Sequence, residues 1–109
     1  MLIGESVYRA IADPTRRAIL DLLATGSERS VKELTAAFSI SQPAISQHLL
    51  ELRSARLVVA RRAHRENRYR LTAEPLAQVF AWMEKYRRFV DPAGHHWAIG
   101  PSAPRAEHE

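Results

Sequence analysis

The chain has 109 residues, 46% of them apolar, with 16 Lys and Arg against 12 Asp and Glu for a net charge of +4. That length holds one domain with a real core, and the lack of any cysteine excludes disulfides, thiolate metal sites and a cysteine nucleophile. No apolar run approaches a membrane span, and no basic stretch followed by an apolar one opens the chain, so a soluble cytoplasmic protein is expected.

Ile3, Val7, Tyr8 and Ile11 recur at helical spacing and predict a first helix over residues 2–12. Asp13-Pro14 then punctuates the chain. Asp is a good N-cap, and proline at the first helical position gives up no hydrogen bond. A second helix is expected over about 14–24, with Ala18, Ile19, Leu22 and Leu23 inward and Gly26 at its end. Arg16 and Arg17 fall on its flank, as an ion pair or a phosphate contact.

Ser30-Val31-Lys32-Glu33 is a capping box, in which the Ser30 hydroxyl and the Glu33 carboxylate each accept from an orphan N–H. The third helix it starts has Leu34, Ala37 and Phe38 as its apolar stripe. Ser39-Ile40 makes a tight turn, Ser41 offers another N-cap oxygen, and a fourth helix is expected over about 42–55 with Pro43 in its first turn. Ile45, Leu49 and Leu52 give it a buried stripe; opposite lie Gln42, Ser46, Gln47 and Arg53. An ordinary solvated helix would carry Glu and Lys there. Amide, hydroxyl and guanidinium groups hydrogen-bond base edges and phosphates, so the pair reads as a helix-turn-helix whose second helix is a candidate DNA reader. His48 sits at the edge of the buried stripe, open to either a phosphate contact or a packing role.

After Arg56 the period changes from helical to alternating. Residues 58–62 and 68–71 read as strands joined by a polar turn, His64-Arg65-Glu66-Asn67. On the second strand Tyr69 and Leu71 share one face, Arg68 and Arg70 the other. A hairpin directly after a helix-turn-helix is a wing. Seven arginines and one acid lie between Arg53 and Arg70, so the remainder of the chain is slightly acidic. Charge concentrated in this way is the footprint of a polyanion binder. Arg61, Arg62, His64, Arg65, Asn67 and Arg68 are the candidate wing contacts to DNA.

A last helix is expected over about 75–90, opened by Pro75. Leu76, Val79, Phe80, Met83 and Val90 form one apolar stripe, and Trp82, Tyr86 and Phe89 widen it to a second. The surplus reads as a dimer interface shared with Ile3 and Val7, the alternative being burial within one subunit. From Asp91 the chain has three prolines, two glycines and three histidines without periodicity. Residues 1–90 are therefore expected as one DNA-binding and dimerisation domain and 91–109 as a tail, whose Trp97 and Ile99 could fold back onto the dimer. The fold class is mainly α with a small β-hairpin, a winged helix-turn-helix.

AIADPTRRAILDLL (Ala10 to Leu23), SVKELTAAFSISQPAISQHLLELRSARLV and the hairpin ending in RYRL together resemble the ArsR-type winged-helix transcriptional repressors, in the branch without thiolate sensor sites. The resemblance covers about residues 5–90. It implies a homodimer in the order α-α-α-α-β-β-α, with the first and last helices at the interface, the reader helix in the major groove and the wing on flanking DNA. Gln42, Ser46 and Gln47 match positions where the family touches bases or nearby phosphates, while Pro43 stands where the family often has a small polar residue and so removes a donor. Metal-sensing relatives use a cysteine pair before the reader or Asp and His on the last helix. This chain has no cysteine and no histidine between 75 and 90, and His95 and His96 lie beyond, near Asp91, so no metal or cofactor is expected.

No nucleophile elbow, phosphate-binding glycine loop or paired carboxylates are present, so no enzyme is expected. The function that follows is a dimeric repressor with reading helices in successive major grooves. Two alternatives stand beside it. One is a regulator that responds to a small molecule or a protein partner through a cleft near Trp82 and Tyr86. The other is a protein-interaction module docking through the last helix; Gln42, Ser46 and Gln47 in place of aromatic anchors weigh against it.

Overall fold

The computed structural model describes residues 5–94, in two compact units divided between Pro75 and Leu76. Ile3, His95, His96, Trp97 and Ile99 lie outside the described residues.

In the first unit α1 spans Glu5–Ile11 and α2 Pro14–Leu23. The Asp13 carboxylate accepts from the Arg16 backbone N–H at 2.9 Å, as its N-cap position requires. Gly26, at φ +96°, takes the left-handed turn that closes the helix. Helix α3 is short, Val31–Thr35, and the capping box forms in both directions: Glu33 N–H to Ser30 Oγ at 3.1 Å and Ser30 N–H to Glu33 Oε1 at 2.8 Å. Because α3 stops at Thr35, Ala37 is exposed rather than inward, and Phe38 is half-buried.

Helix α4, Gln42–Ser54, begins on the Ser41 hydroxyl, which accepts from Ala44 N–H at 3.3 Å. It ends in a Schellman turn. Leu57 N–H reaches back to Leu52 C=O and Arg56 N–H to Arg53 C=O, both at 3.0 Å. That closure forces Arg56 to φ +63°, where glycine would be unstrained.

The wing is β2, Val58–Ala63, antiparallel to β3, Glu66–Leu71. Its turn is only His64-Arg65, at φ +51° and +73°, the left-handed pair whose twist matches that of the flanking strands. The expected four-residue turn is thus too long: Glu66 and Asn67 belong to the ladder, opposite Ala63 and Arg62. A third strand, β1 (Arg29–Ser30), pairs with β3 to give the order β1-β3-β2. Two residues are too few to show alternation in sequence.

Ile19, Leu23, Leu34, Ile45, Leu49, Leu52, Leu57 and Val58 are fully buried, and Tyr69 nearly so. Val7, expected on a self-association face, is a core residue at 2% exposure. Helix α1 packs against α2 and α4, and Val7 and Ala10 both lie on that side.

The second unit holds α5, Ala77–Glu84, and α6, Arg87–Val90, behind a 3-10 turn at Glu74–Leu76. The single helix expected over 75–90 is therefore broken at Lys85-Tyr86. There Tyr86 N–H bonds Met83 C=O at 2.9 Å, a three-residue spacing that tightens the turn. Short helices owe their regularity to a packed face, and no described side chain of this unit is buried. Trp82 and Tyr86 pack ring to ring, centroids 5.1 Å apart. No helix among the described residues is long and apolar enough to cross a membrane.

Candidate nucleic-acid interface

Helix α4 is two-sided. Ile45, Leu49 and Leu52 are at most 1% exposed and fix it to the core, so the other side is presented outward on a rigid rod. Gln42, Pro43, Ser46, Gln47, Leu50, Arg53 and Ser54 are its exposed residues, with no carboxylate among them.

His48 is placed differently. It is half-buried where α4 meets the start of α2, its Nδ1 3.8 Å from Asp13 Oδ2 and 3.4 Å from Arg16 Nη1. The Asp13 carboxyl is held below the usual carboxylate range, chiefly by the Arg16 backbone N–H and further by the charges of His48 and Arg16, against the opposing effect of burial. Arg16 also donates through Nε to Ala10 C=O at 2.7 Å and through Nη2 to Arg9 C=O at 3.0 Å, while Arg17 Nη1 donates to Ile11 C=O at 2.7 Å. Both arginines cap the carbonyl end of α1. His48 thereby joins a polar brace between α1, α2 and α4.

The wing arginines fall into two groups. Arg61 grips Glu28 with two bonds, Nε to Oε2 at 3.0 Å and Nη2 to Oε1 at 2.7 Å. Arg68, 24% exposed, donates to Glu28 C=O at 3.0 Å, to Glu33 Oε1 at 3.1 Å and to Glu66 Oε2 at 3.0 Å. The Arg61 hydrogen bonds hold the Glu28 carboxyl below its ordinary range and raise Arg61 in return. Glu33 is lowered first by the Ser30 backbone N–H and then by Arg68. These two arginines tie β1, α3 and the hairpin together.

The side chains of Arg53, Arg56, Arg62, Arg65 and Arg70 are exposed and make no hydrogen bond or ion pair with any described residue. His64 and Arg65 form the exposed tip of the hairpin, and Asn67 is half-buried beside it.

Between wing and reader lies a groove of about 510 Å³ lined by Lys32, Gln42, Arg62, Arg65 and Asn67 together with Glu66, whose carboxylate is paired with Arg68. It brings the first residue of α4 and two of the free wing arginines, Arg62 and Arg65, to one surface. Lys32 joins them there, although the sequence reading used it only as a spacer in the capping box; a signal for it exists only once the hairpin is folded back. Among the described residues no group of three or more His, Asp or Glu could hold a metal ion. The arrangement suits a polyanion with readable hydrogen-bonding edges.

The sequence profile of the bacterial regulatory proteins of the arsR family matches residues 13–59, from the α2 N-cap into the first wing strand. The chain is 37% identical over 99 residues to the arsenic resistance transcriptional regulator ArsR1 of Pseudomonas putida, covering 91% of this chain and 73% of that protein. It is 38% identical over 78 residues to the transcriptional repressor SdpR of Bacillus subtilis, covering 72% and 86% respectively. A solved homodimeric winged helix-turn-helix DNA-binding domain from Mycobacterium bovis is similar to it with a TM-score of 0.61 and 33% identity, covering 84% of this chain and 85% of that one.

Proposed function

The chain belongs to the ArsR family of bacterial regulatory proteins and is a winged helix-turn-helix transcriptional regulator, and from that premise we propose that it is a homodimeric repressor of an inverted-repeat DNA operator. The observation that carries the reading is the outward side of α4, where amide and hydroxyl groups stand without a carboxylate beside unpaired wing arginines. Gln42, Ser46 and Gln47 read base edges in the major groove. Lys32, Arg62 and Arg65 neutralise phosphates, which adds affinity without sequence information and makes binding fall steeply with salt.

Self-association supplies the second reader. Trp82, Tyr86, Phe89 and Val90 are 49%, 43%, 81% and 68% exposed in a single chain, an apolar surface that a second copy would cover. The Mycobacterium bovis relative is described as homodimeric, which supports the same arrangement here. Two readers related by a twofold axis would enter grooves about 34–36 Å apart. ArsR1 is named for arsenic resistance; with no cysteine in this chain, the proposed regulation is carried over without an arsenical inducer.

The test is selection of bound fragments from genomic DNA, followed by sedimentation of the complex. Two chains on one inverted repeat are expected. A lone protomer with no preference among fragments at low ionic strength would overturn the reading.

A further inference from the structure

The outward side of α4 is not uniformly polar. At about 100° per residue, Pro43, Gln47, Leu50 and Ser54 form its outermost line, nearly opposite the buried Ile45 and Leu52, while Gln42, Ser46 and Arg53 flank that line. All seven are exposed, Leu50 at 56%. A lone exposed leucine is ordinary. This one shares its line with a proline, a glutamine and a serine on a surface bordered by unpaired cations, Arg53, Arg62, Arg65 and Lys32. Pro43 has no N–H and no polar side chain to offer a base. The surface is charge-complementary to a duplex, whose major groove holds one apolar feature that varies with sequence, the C5-methyl of thymine.

We propose that Pro43 and Leu50 read thymine methyl groups on either side of the base contacted by Gln47. The inference rests on the proposed DNA-binding function and names the kind of operator it serves. Pro43 and Leu50 are seven residues apart, about 10 Å along a helix rising about 1.5 Å per residue. At about 3.4 Å per base pair the two methyl contacts fall about three base pairs apart on a reader lying along the groove. Gln47 between them suits an adenine, whose N6 and N7 it can bond together. The half-site is therefore rich in A·T pairs, with its two thymines specified by shape rather than by hydrogen bonds.

Deoxyuridine scanning tests this directly, since uracil pairs like thymine but lacks the methyl. Each thymine of the selected operator is replaced in turn and affinity is measured by competition at fixed salt. Two positions per half-site are expected to weaken binding by about fourfold each, the worth of one buried carbon group. Pro43→Ser should abolish the penalty at one of them and Leu50→Ser at the other. A scan of the native protein with no penalty at any thymine, while operator preference persists, overturns the inference and leaves the parent reading intact. Penalties that survive both substitutions also overturn it. A protein with no preference among DNA fragments offers no operator to scan, and then both claims fall together.

Discussion

Residues 5–75 and residues 76–94 are both rich in apolar side chains, yet they dispose of them in opposite ways. The first stretch closes a core, with Leu34, Ile45, Leu52 and Leu57 at 0% exposure. The second buries none of its described side chains, and Phe89 stands 81% exposed. Apolar content alone therefore says little. What differs is that α4 receives neighbours on its apolar side from α1, α2, α3 and β2, whereas α5 and α6 present aromatics for which a second copy is the proposed cover.

The sharpest way to break this comparison is to truncate one apolar side chain in each region. Leu49→Ala should cost about 2–5 kcal/mol in urea unfolding, because it removes contacts and leaves a cavity. Phe89→Ala, measured on dilute protein, should fall within about 0.5 kcal/mol of the parent while weakening self-association in sedimentation. Equal losses of stability would erase the distinction.

Next in size is the start of α3, which is capped in both directions, whereas α5 starts with no side-chain cap. Ser30→Ala should lower stability by about 1 kcal/mol in thermal melting.

The same contrast between satisfied and unsatisfied groups recurs within the wing. Arg62→Ala should reduce the slope of log affinity against log salt by about 0.9, one phosphate contact. Arg61→Ala should leave that slope unchanged and have little effect on stability, since its pair with Glu28 is exposed to solvent screening.

Acid should act on the first unit. Asp13, Glu28 and Glu33 all have carboxyl groups lowered by their partners. Their contribution is whole above the unfolded carboxylate range, about pH 4, and is lost as pH falls through the lowered folded values. Unfolding followed by circular dichroism from pH 6 to pH 2 should show stability declining only in the acidic part, and Glu28→Gln should flatten that decline.

Helix starts were legible in the sequence because their chemistry is local. Asp13-Pro14, Ser30 with Glu33, and Ser41 each cap within three residues. The periodicity of Ile45, Leu49 and Leu52 likewise marks the buried side of α4. Long-range pairing was not legible: Glu28 lies 33 positions from Arg61, so a count of wing arginines could not separate the clamped from the free. The turn at His64-Arg65 escaped because it adopts a left-handed pair without glycine or asparagine. Val7 sits at a helical spacing that serves a core and an interface equally well. Attention to polar side chains on α4 also passed over Leu50, whose exposure became visible only in the folded chain.

The central claim is that the outward side of α4 reads bases, and one comparison tests it most directly: sites selected from random duplexes by the native protein and by Gln47→Ala. The account predicts that the substitution flattens preference at one base pair of each half-site, a loss of about 1–3 kcal/mol of discrimination there, and leaves the other positions unchanged. An identical selected motif from both proteins would contradict it.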